Sequence, residues 1–421
     1  MTDTIFALSS GRPPAAIGVV RVSGPAALDA ACALAGALPE PRRAALRTLR
    51  AADGRVLDRA LLLVFPGPAT ATGEDLVELH LHGGRAVVAA VETALEGRGL
   101  RRAEPGEFTR RALANGRIDL AQAEGLADLL AAETEAQRVA AVGTAEGMVG
   151  RLVRSWSDRL LALSAQVEAA LDFSDEDDVA VDLGGVVEGA AALRGAMAEV
   201  LAQPLVERLR DGVRVALAGP PNAGKSTLLN LLAGREAAIV SPVAGTTRDV
   251  IEAPVTYQGA AYLLSDTAGL VEASADPVEA IGVERARAVQ RAADLVLWLG
   301  DAPPPLPAIW VWARADEAGR GTPPEGADVL ARRDRPDTVA ALWRMIHARA
   351  AALLPTPDRP ALNARMRGHV ADAAALLVAD EDPLILAEHL RAARVALARV
   401  TGEDATEAML DALFGRFCIG K

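Results

Sequence analysis

Two periods of apolar spacing alternate along this chain, and the places where one gives way to the other divide it. Up to about residue 117, short apolar or alternating runs at 17–22, 60–65 and 76–82 predict strands. Stretches with apolar positions three and four apart, at 25–38 and 86–96, predict helices. This mixture predicts an α+β domain over residues 1–117. The helical period then takes over at 107–114, 119–132 and 135–171, and it returns over 184–210 after an acidic stretch at 172–182. The acidic stretch reads as an exposed connection. Strand and helix patterns alternate again between 211 and 354. Beyond Pro355 and Pro357 the chain is helical once more, at 362–379, 383–400 and 403–414, with Thr401 placed to cap the last helix. The economical arrangement is multidomain: a discontinuous all-α domain, 118–210 and 355–421, interrupted by an inserted α/β domain at 211–354. There is no internal repeat.

The inserted segment carries the most specific chemistry. Gly219-Pro220-Pro221-Asn222-Ala223-Gly224-Lys225-Ser226 fits the phosphate-loop pattern G-x-x-x-x-G-K-[ST]. An apolar run at 213–218 precedes it as a strand, and 227–233, from Thr227 onward, follows as a helix. The glycines let backbone N–H groups turn inward to phosphate oxygens. Lys225 adds positive charge, the Ser226 hydroxyl can ligate Mg²⁺, and the helix dipole favours the anion. Next come Gly245-Thr246-Thr247-Arg248-Asp249, where a threonine can complete the Mg²⁺ shell and sense a γ-phosphate. A strand at 262–265 then ends in Asp266-Thr267-Ala268-Gly269, placing an acid beside the metal and a glycine N–H beside the γ-phosphate. In this order the motifs specify a GTPase of the Ras-like, TRAFAC type.

Departures from the usual pattern are equally informative. Guanine selection usually rests on N-K-x-D, but after the strand at 308–312 stand Ala313-Arg314-Ala315-Asp316. The Asp316 carboxylate can still accept from guanine's N1–H and exocyclic amine, so guanine preference is expected to survive with weaker binding. The next base-contacting loop, usually S-A-[KR], is best matched by Leu330-Ala331-Arg332. Only residues 300–307 separate the strand at 295–299 from the next, too few for a helical crossover, which predicts a deleted helix. Leu270 stands where many GTPases carry a water-orienting glutamine. Another group must take that role, and Asn222 is a candidate ligand for a monovalent cation that neutralises the phosphates.

Composition changes the picture in two ways. The formal net charge of −12 does not advertise nucleic-acid binding, so such a substrate needs a local basic patch or a basic partner. Two cysteines, Cys32 and Cys418, allow neither a disulfide framework nor a cysteine-rich zinc site. The start of the chain has Asp3 and no basic n-region, and no apolar run reaches membrane-spanning length, so a soluble cytoplasmic protein is expected.

Taken together the motifs resemble those of the MnmE (TrmE) family of tRNA modification GTPases. The resemblance runs through Asp3-Thr4-Ile5, Gly18-Val19-Val20-Arg21-Val22-Ser23-Gly24, Thr72-Gly73-Glu74-Asp75, and Glu78 with His82-Gly83-Gly84. It continues through Pro105-Gly106-Glu107-Phe108-Thr109-Arg110-Arg111-Ala112, Asp119-Leu120-Ala121-Gln122-Ala123-Glu124 and the closing Phe417-Cys418-Ile419-Gly420-Lys421. It implies an N-terminal folate-binding domain that forms a homodimer, a two-piece helical domain and an inserted G domain. It also implies a flavoprotein partner, MnmG (GidA), in a heterotetramer or larger complex. Together the two would place an aminomethyl or carboxymethylaminomethyl group on C5 of the wobble uridine of certain tRNAs, with the one-carbon unit from a tetrahydrofolate derivative (5-formyl- or methylene-tetrahydrofolate). GTP hydrolysis would be activated by K⁺ and G-domain dimerisation. Carried onto this chain, the folate site falls on Arg21, Glu78, Arg117 and Lys421. The K⁺ site falls on Asn222 with backbone around Ser241, Val243 and Thr246. The water-orienting glutamate is Glu279, with Glu272 as the alternative because one extra residue precedes Glu279. Cys418 reads as a small core residue and, by the resemblance, as a candidate reactive thiol near the folate site. The competing readings are a GTP-gated assembly factor and a folate module with an idle G domain; intact Lys225, Thr247 and Asp266 argue against the latter.

Overall fold

The computed structural model describes residues 3–172, 183–236, 251–266, 288–317, 319–356, 359–378, 382–415, 417 and 419–420. They form two compact units: one takes the chain up to Ala127, Ala145–Ser155 and the chain from Leu397, the other Asp128–Thr144 and Trp156–Ala396.

The first unit is built on strands β1 (Ile5–Leu8), β2 (Ile17–Ser23), β3 (Ala45–Arg50), β4 (Val56–Phe65), β5 (Leu76–His82) and β6 (Arg101–Arg102). Their order is β3-β4-β5-β2-β1-β6, antiparallel throughout except for the β1–β6 pair. Period-two alternation sorts the side chains. Val77, Leu79 and Leu81 of β5 and Val20 and Val22 of β2 are buried with Leu34 of the helix Ala27–Ala35 and Val88, Val91 and Leu95 of the helix Arg85–Glu96. Arg21 and Glu78 therefore share the other face, and the β2–β5 register sets them directly opposite one another.

The second unit carries β7 (Val213–Ala218), β8 (Ile251–Tyr257), β9 (Ala260–Asp266), β10 (Leu295–Trp298), β11 (Ile309–Trp312) and β12 (Val329–Leu330). The order is β12-β11-β10-β7-β9-β8, parallel except for the β8–β9 pair. Its core joins Val215 and Leu217 to Leu228 and Leu232 of the helix Lys225–Glu236 and to Leu342, Trp343 and Ile346 of the helix Pro336–Ala351. Tyr257 stacks on Trp343 with centroids 4.8 Å apart. This is the inserted Ras-like α/β fold that the motifs predicted. β10 and β11 are parallel neighbours, Leu297 opposite Ile309, and no helix lies between them. The crossover helix is missing, while the strand order is intact.

Several local expectations are corrected. The helix expected over 135–171 is two, Glu135–Ala145 and Met148–Asp172, because Gly147 adopts φ +81 and breaks the ladder. That over 184–210 ends at Leu201, and a short helix, Glu207–Asp211, follows Pro204. Strands β1, β3, β6, β8 and β12 were not signalled. The final helix is Glu407–Phe414, capped by Thr406, whose hydroxyl accepts from Met409 N. Thr401 instead ends the preceding helix, Pro383–Thr401, and donates to Ala398 O at 3.0 Å. The acidic connection at 173–182 lies outside the described residues. Among the described residues no helix is long and apolar enough to cross a membrane.

Candidate functional site: a nucleotide pocket on the parallel sheet

β7 lies between β9 and β10, and the chain crosses from β9 on one side of it to β10 on the other, so the crevice at the end of β7 is a topological switch point, where open α/β sheets bind ligands. The phosphate loop occupies that crevice. Gly219, at φ +147, runs against the backbone of Leu299, where a Cβ would come within 3.3 Å. Asn222 sits at φ +60 and Gly224 at φ +92, so the loop curls with successive N–H groups on its inner side. Lys225 opens the following helix, is buried, and donates from Nζ to Gly219 O (2.9 Å) and Pro220 O (2.8 Å). Ser226 Oγ donates to Asp266 Oδ2 at 2.5 Å; Asp266, only 1% exposed, arrives at the end of β9. A serine and a carboxylate oxygen side by side are the oxygen donors that a hard dication such as Mg²⁺ takes.

A cavity of about 490 Å³ extends from the loop, within the range of small-molecule sites. Asn222, Ala223, Gly224, Lys225, Ser226 and Thr227 line one end. Ala313, Arg314, Asp316, Ala331 and Arg333 line the other. The structure thus brings the phosphate-loop residues and Asp316 to one pocket. Arg314, at the position of the usual lysine, lies across the loop. Its stem passes so close to Gly224 that a Cβ there would stand 3.1 Å from its Cγ, and its guanidinium donates to Asn222 O and pairs with Glu317. Of the segment expected to form the second base-contacting loop, Ala331 lines the pocket and its N–H bonds Trp312 O at 2.9 Å. The basic residue on the pocket is Arg333; Arg332 pairs with Asp334.

In the first unit, Arg21 and Glu78 form an ion pair at 2.8 Å, and His80 Nε2 approaches the other Glu78 oxygen at 3.3 Å. Burial works against the Glu78 charge, yet the Arg21 and His80 contacts hold its carboxyl below the usual glutamate range. It is ionised, an acceptor for N–H donors. On the same face, Ser23 Oγ meets Thr72 Oγ1 at 2.7 Å and donates to Glu74 Oε2. Arg117 is exposed beside the turn at Gly73, where a Cβ would stand 3.2 Å from its Cγ.

Residues 4–117 match the family model described as the GTP-binding protein TrmE N-terminus, and residues 120–418 that of the MnmE helical domain, more than half of the chain. A tRNA modification GTPase MnmE of Erythrobacter litoralis (strain HTCC2594) is 55% identical over 423 residues, 100% of both chains. Another, of Rhizorhabdus wittichii, is 56% identical over 431 residues, covering 100% of this chain and 97% of the relative. A third, of Sphingopyxis alaskensis, is 54% identical over 96% of this chain and 100% of its own.

The chain belongs to the MnmE family.

As a MnmE-family protein it is a GTP hydrolase, and the pocket beside Lys225 is where it carries the phosphate-binding motif. Thr247, Ser241, Val243, Thr246, Thr267, Ala268, Gly269, Glu279, Cys418 and Lys421 lie outside the described residues. Two features went unread in the sequence. One is the brace made by Arg314. The other is a charge cluster around the buried Arg111 that joins three of the MnmE motifs in the first unit. Arg111, 0% exposed, donates to the Asp3 carbonyl and carboxylate, to Glu74 and to Glu107. Arg101 pairs with the same Asp3 and Glu107. The Asp3 carboxyl is held low by its hydrogen bond from Arg101. Glu107 and Arg111, four apart on one helix face, were the available signal.

Proposed function

We propose that this protein hydrolyses GTP to drive modification of the wobble uridine of certain tRNAs. The observation that carries the reading is one pocket with a phosphate loop at one end and an acid, Asp316, at the other, in a chain of the MnmE family. The phosphate-loop amides and Lys225 hold the β- and γ-phosphates. Asp316 accepts from guanine N1–H and its amine. Ser226 and Asp266, with Thr247, suit Mg²⁺, which supplies neutralisation of charge building on the phosphates. Asn222 offers a neutral oxygen to K⁺, with Ser241, Val243 and Thr246 as backbone ligands. Glu279 orients the attacking water in place of the glutamine absent at Leu270. Water attacks the γ-phosphorus, the bond to the β–γ bridging oxygen breaks, and GDP and phosphate leave.

The first unit has the opposite chemistry. Ionised Glu78 suits the pterin of a tetrahydrofolate, and Arg21, Arg117 and Lys421 suit its glutamate tail. In this reading the unit forms the homodimer contact and delivers a one-carbon unit. The flavoprotein partner MnmG (GidA) supplies the redox step and much of the basic surface for tRNA, consistent with a net charge of −12 here. Nucleoside analysis of tRNA from a deletion strain tests the proposal: C5-modified wobble uridine should disappear and return with the wild-type gene. Unchanged modification, with loss of ribosome assembly instead, would replace it with an assembly role. Turnover measured in K⁺ and in Na⁺ tests the cation. Equal rates in the two salts would remove K⁺ from the scheme.

A further inference from the structure

Two tryptophans and one arginine hold the crossover that lacks its helix, and a third tryptophan, Trp312, stacks on that arginine. Trp298 Nε1 donates to Ala302 O and Trp310 Nε1 to Gly300 O, both at 2.8 Å. A Cβ on Gly300 would stand 2.6 Å from the Trp298 indole, so the connection lies flat against that ring. Asp301, the next residue, pairs with Arg320 through two hydrogen bonds of 2.9 and 2.5 Å. The same guanidinium lies 4.0 Å from the centroid of the Trp312 ring, and its Nε donates to Ala313 O at 3.3 Å. One side chain therefore touches the shortened crossover, the last residue of β11 and the first residue of the turn that carries Asp316. Ala313 has no side-chain amide with which to anchor that turn, and the anchor here falls on its carbonyl.

We propose that Arg320 is the positioning residue for guanine recognition, holding the 313–316 turn through Asp301, Trp312 and Ala313 so that Asp316 meets the base edge. The inference rests on the reading of the cavity as a guanine-nucleotide pocket. A planar fork suits this role, because it pairs with a carboxylate on its edge and stacks on an indole with its face. Lysine can supply the charge but not both contacts.

The test compares affinities for GDP and IDP by calorimetry. IDP lacks only the exocyclic amine that Asp316 reads, so the ratio of the two reports how well the acid is placed. Arg320→Ala should weaken GDP about tenfold, the worth of a charged hydrogen bond, and IDP much less, so the preference collapses toward one. Arg320→Lys should restore part of it. Asp301→Asn keeps the stack on Trp312, should fold, and should lower the preference by a smaller factor. An unchanged preference in Arg320→Ala, or equal weakening of GDP and IDP, would overturn the inference. If Arg320→Ala does not fold, an unchanged preference in Asp301→Asn overturns it instead. Wild-type protein that binds neither nucleotide would overturn the pocket reading itself, and the inference with it. Tight wild-type binding with an unaltered variant ratio would overturn the inference alone.

Discussion

At the phosphate end of the pocket Gly219, Gly224, Lys225 and Ser226 all stand where a phosphate loop needs them, and main-chain curl does the rest. At the base end, of the three residues that N-K-x-D specifies only the acid, Asp316, is kept, and the neighbouring crossover has lost its helix. Yet the strand order is intact, and both ends line one cavity. The two ends differ in what they must hold. Phosphates are gripped by backbone amides and helix geometry, and the positive φ of Gly219 and Gly224 favours glycine there. A base edge is read by one carboxylate, which any sufficiently rigid frame can present. Arginines build that frame here: Arg314 braces the turn against the loop, and Arg320 braces it against the shortened crossover.

The largest effect should come from the phosphate end. Lys225→Ala removes a charge aimed at the phosphates and should lower GTP turnover by about 10²–10³-fold, as loss of one preorganised electrostatic group does. Steady-state phosphate release measures it. A loss below about tenfold would mean that the phosphate grip lies elsewhere. Next is Asp316→Ala, which leaves two guanine donors without an acceptor. GDP affinity should fall by about 30–100-fold and the GDP-over-IDP preference should vanish. If the preference persisted, the base would be read by another group at this end, and the contrast between the two ends would have to be redrawn.

How far each end was legible follows from the same contrast. The phosphate loop was readable because its chemistry lives in glycine backbone and contiguous residues, flanked by a strand and a helix of clear period. That Asp316 would line the pocket was readable from its distance after a strand. Arg314 and Arg320 were not, because their partners Asn222 and Asp301 are remote in the chain and only folding brings them together. The sequence points to Arg332, whereas Arg333 lines the pocket and Arg332, just beyond β12, pairs with Asp334. In the first unit, the motifs around Asp3, Glu74 and Glu107 stand out in the sequence with no visible reason. The reason is Arg111, whose burial satisfies all three. Short strands such as β1 and β6 carry too few residues to show a period, and Gly147 hides a break inside a continuous helical pattern.

A smaller effect should separate the two arginines. Arg314→Ala removes the tie to Asn222 O and the cover over Gly224, so it touches both ends of the pocket. It should raise KM for GTP about three- to tenfold, the range of one exposed or half-exposed hydrogen bond to a charged group, with kcat nearly unchanged. A fall in kcat of the same size would place Arg314 in the transition state rather than in the frame.

The smallest effect is a pH dependence of the base-end frame. Arg320's hydrogen bond, with the charges of Arg320 and Arg314, holds the Asp301 carboxyl below the usual aspartate range. A carboxyl whose pKa is lower when folded contributes its stabilisation above the unfolded value, about 3.9, and loses it as pH falls through the folded one. The pair should therefore be complete from pH 8 down to about pH 5 and fade below about pH 4. Because Asp301 is largely exposed, the wild type should exceed Asp301→Asn in stability by only about 0.2–1 kcal/mol at neutral pH. Melting curves of the two proteins should converge in acid and stay parallel above pH 5. Curves that diverge as pH falls would mean that Asp301 is not held by Arg320, and the base end would then need a different explanation for keeping Asp316 in place.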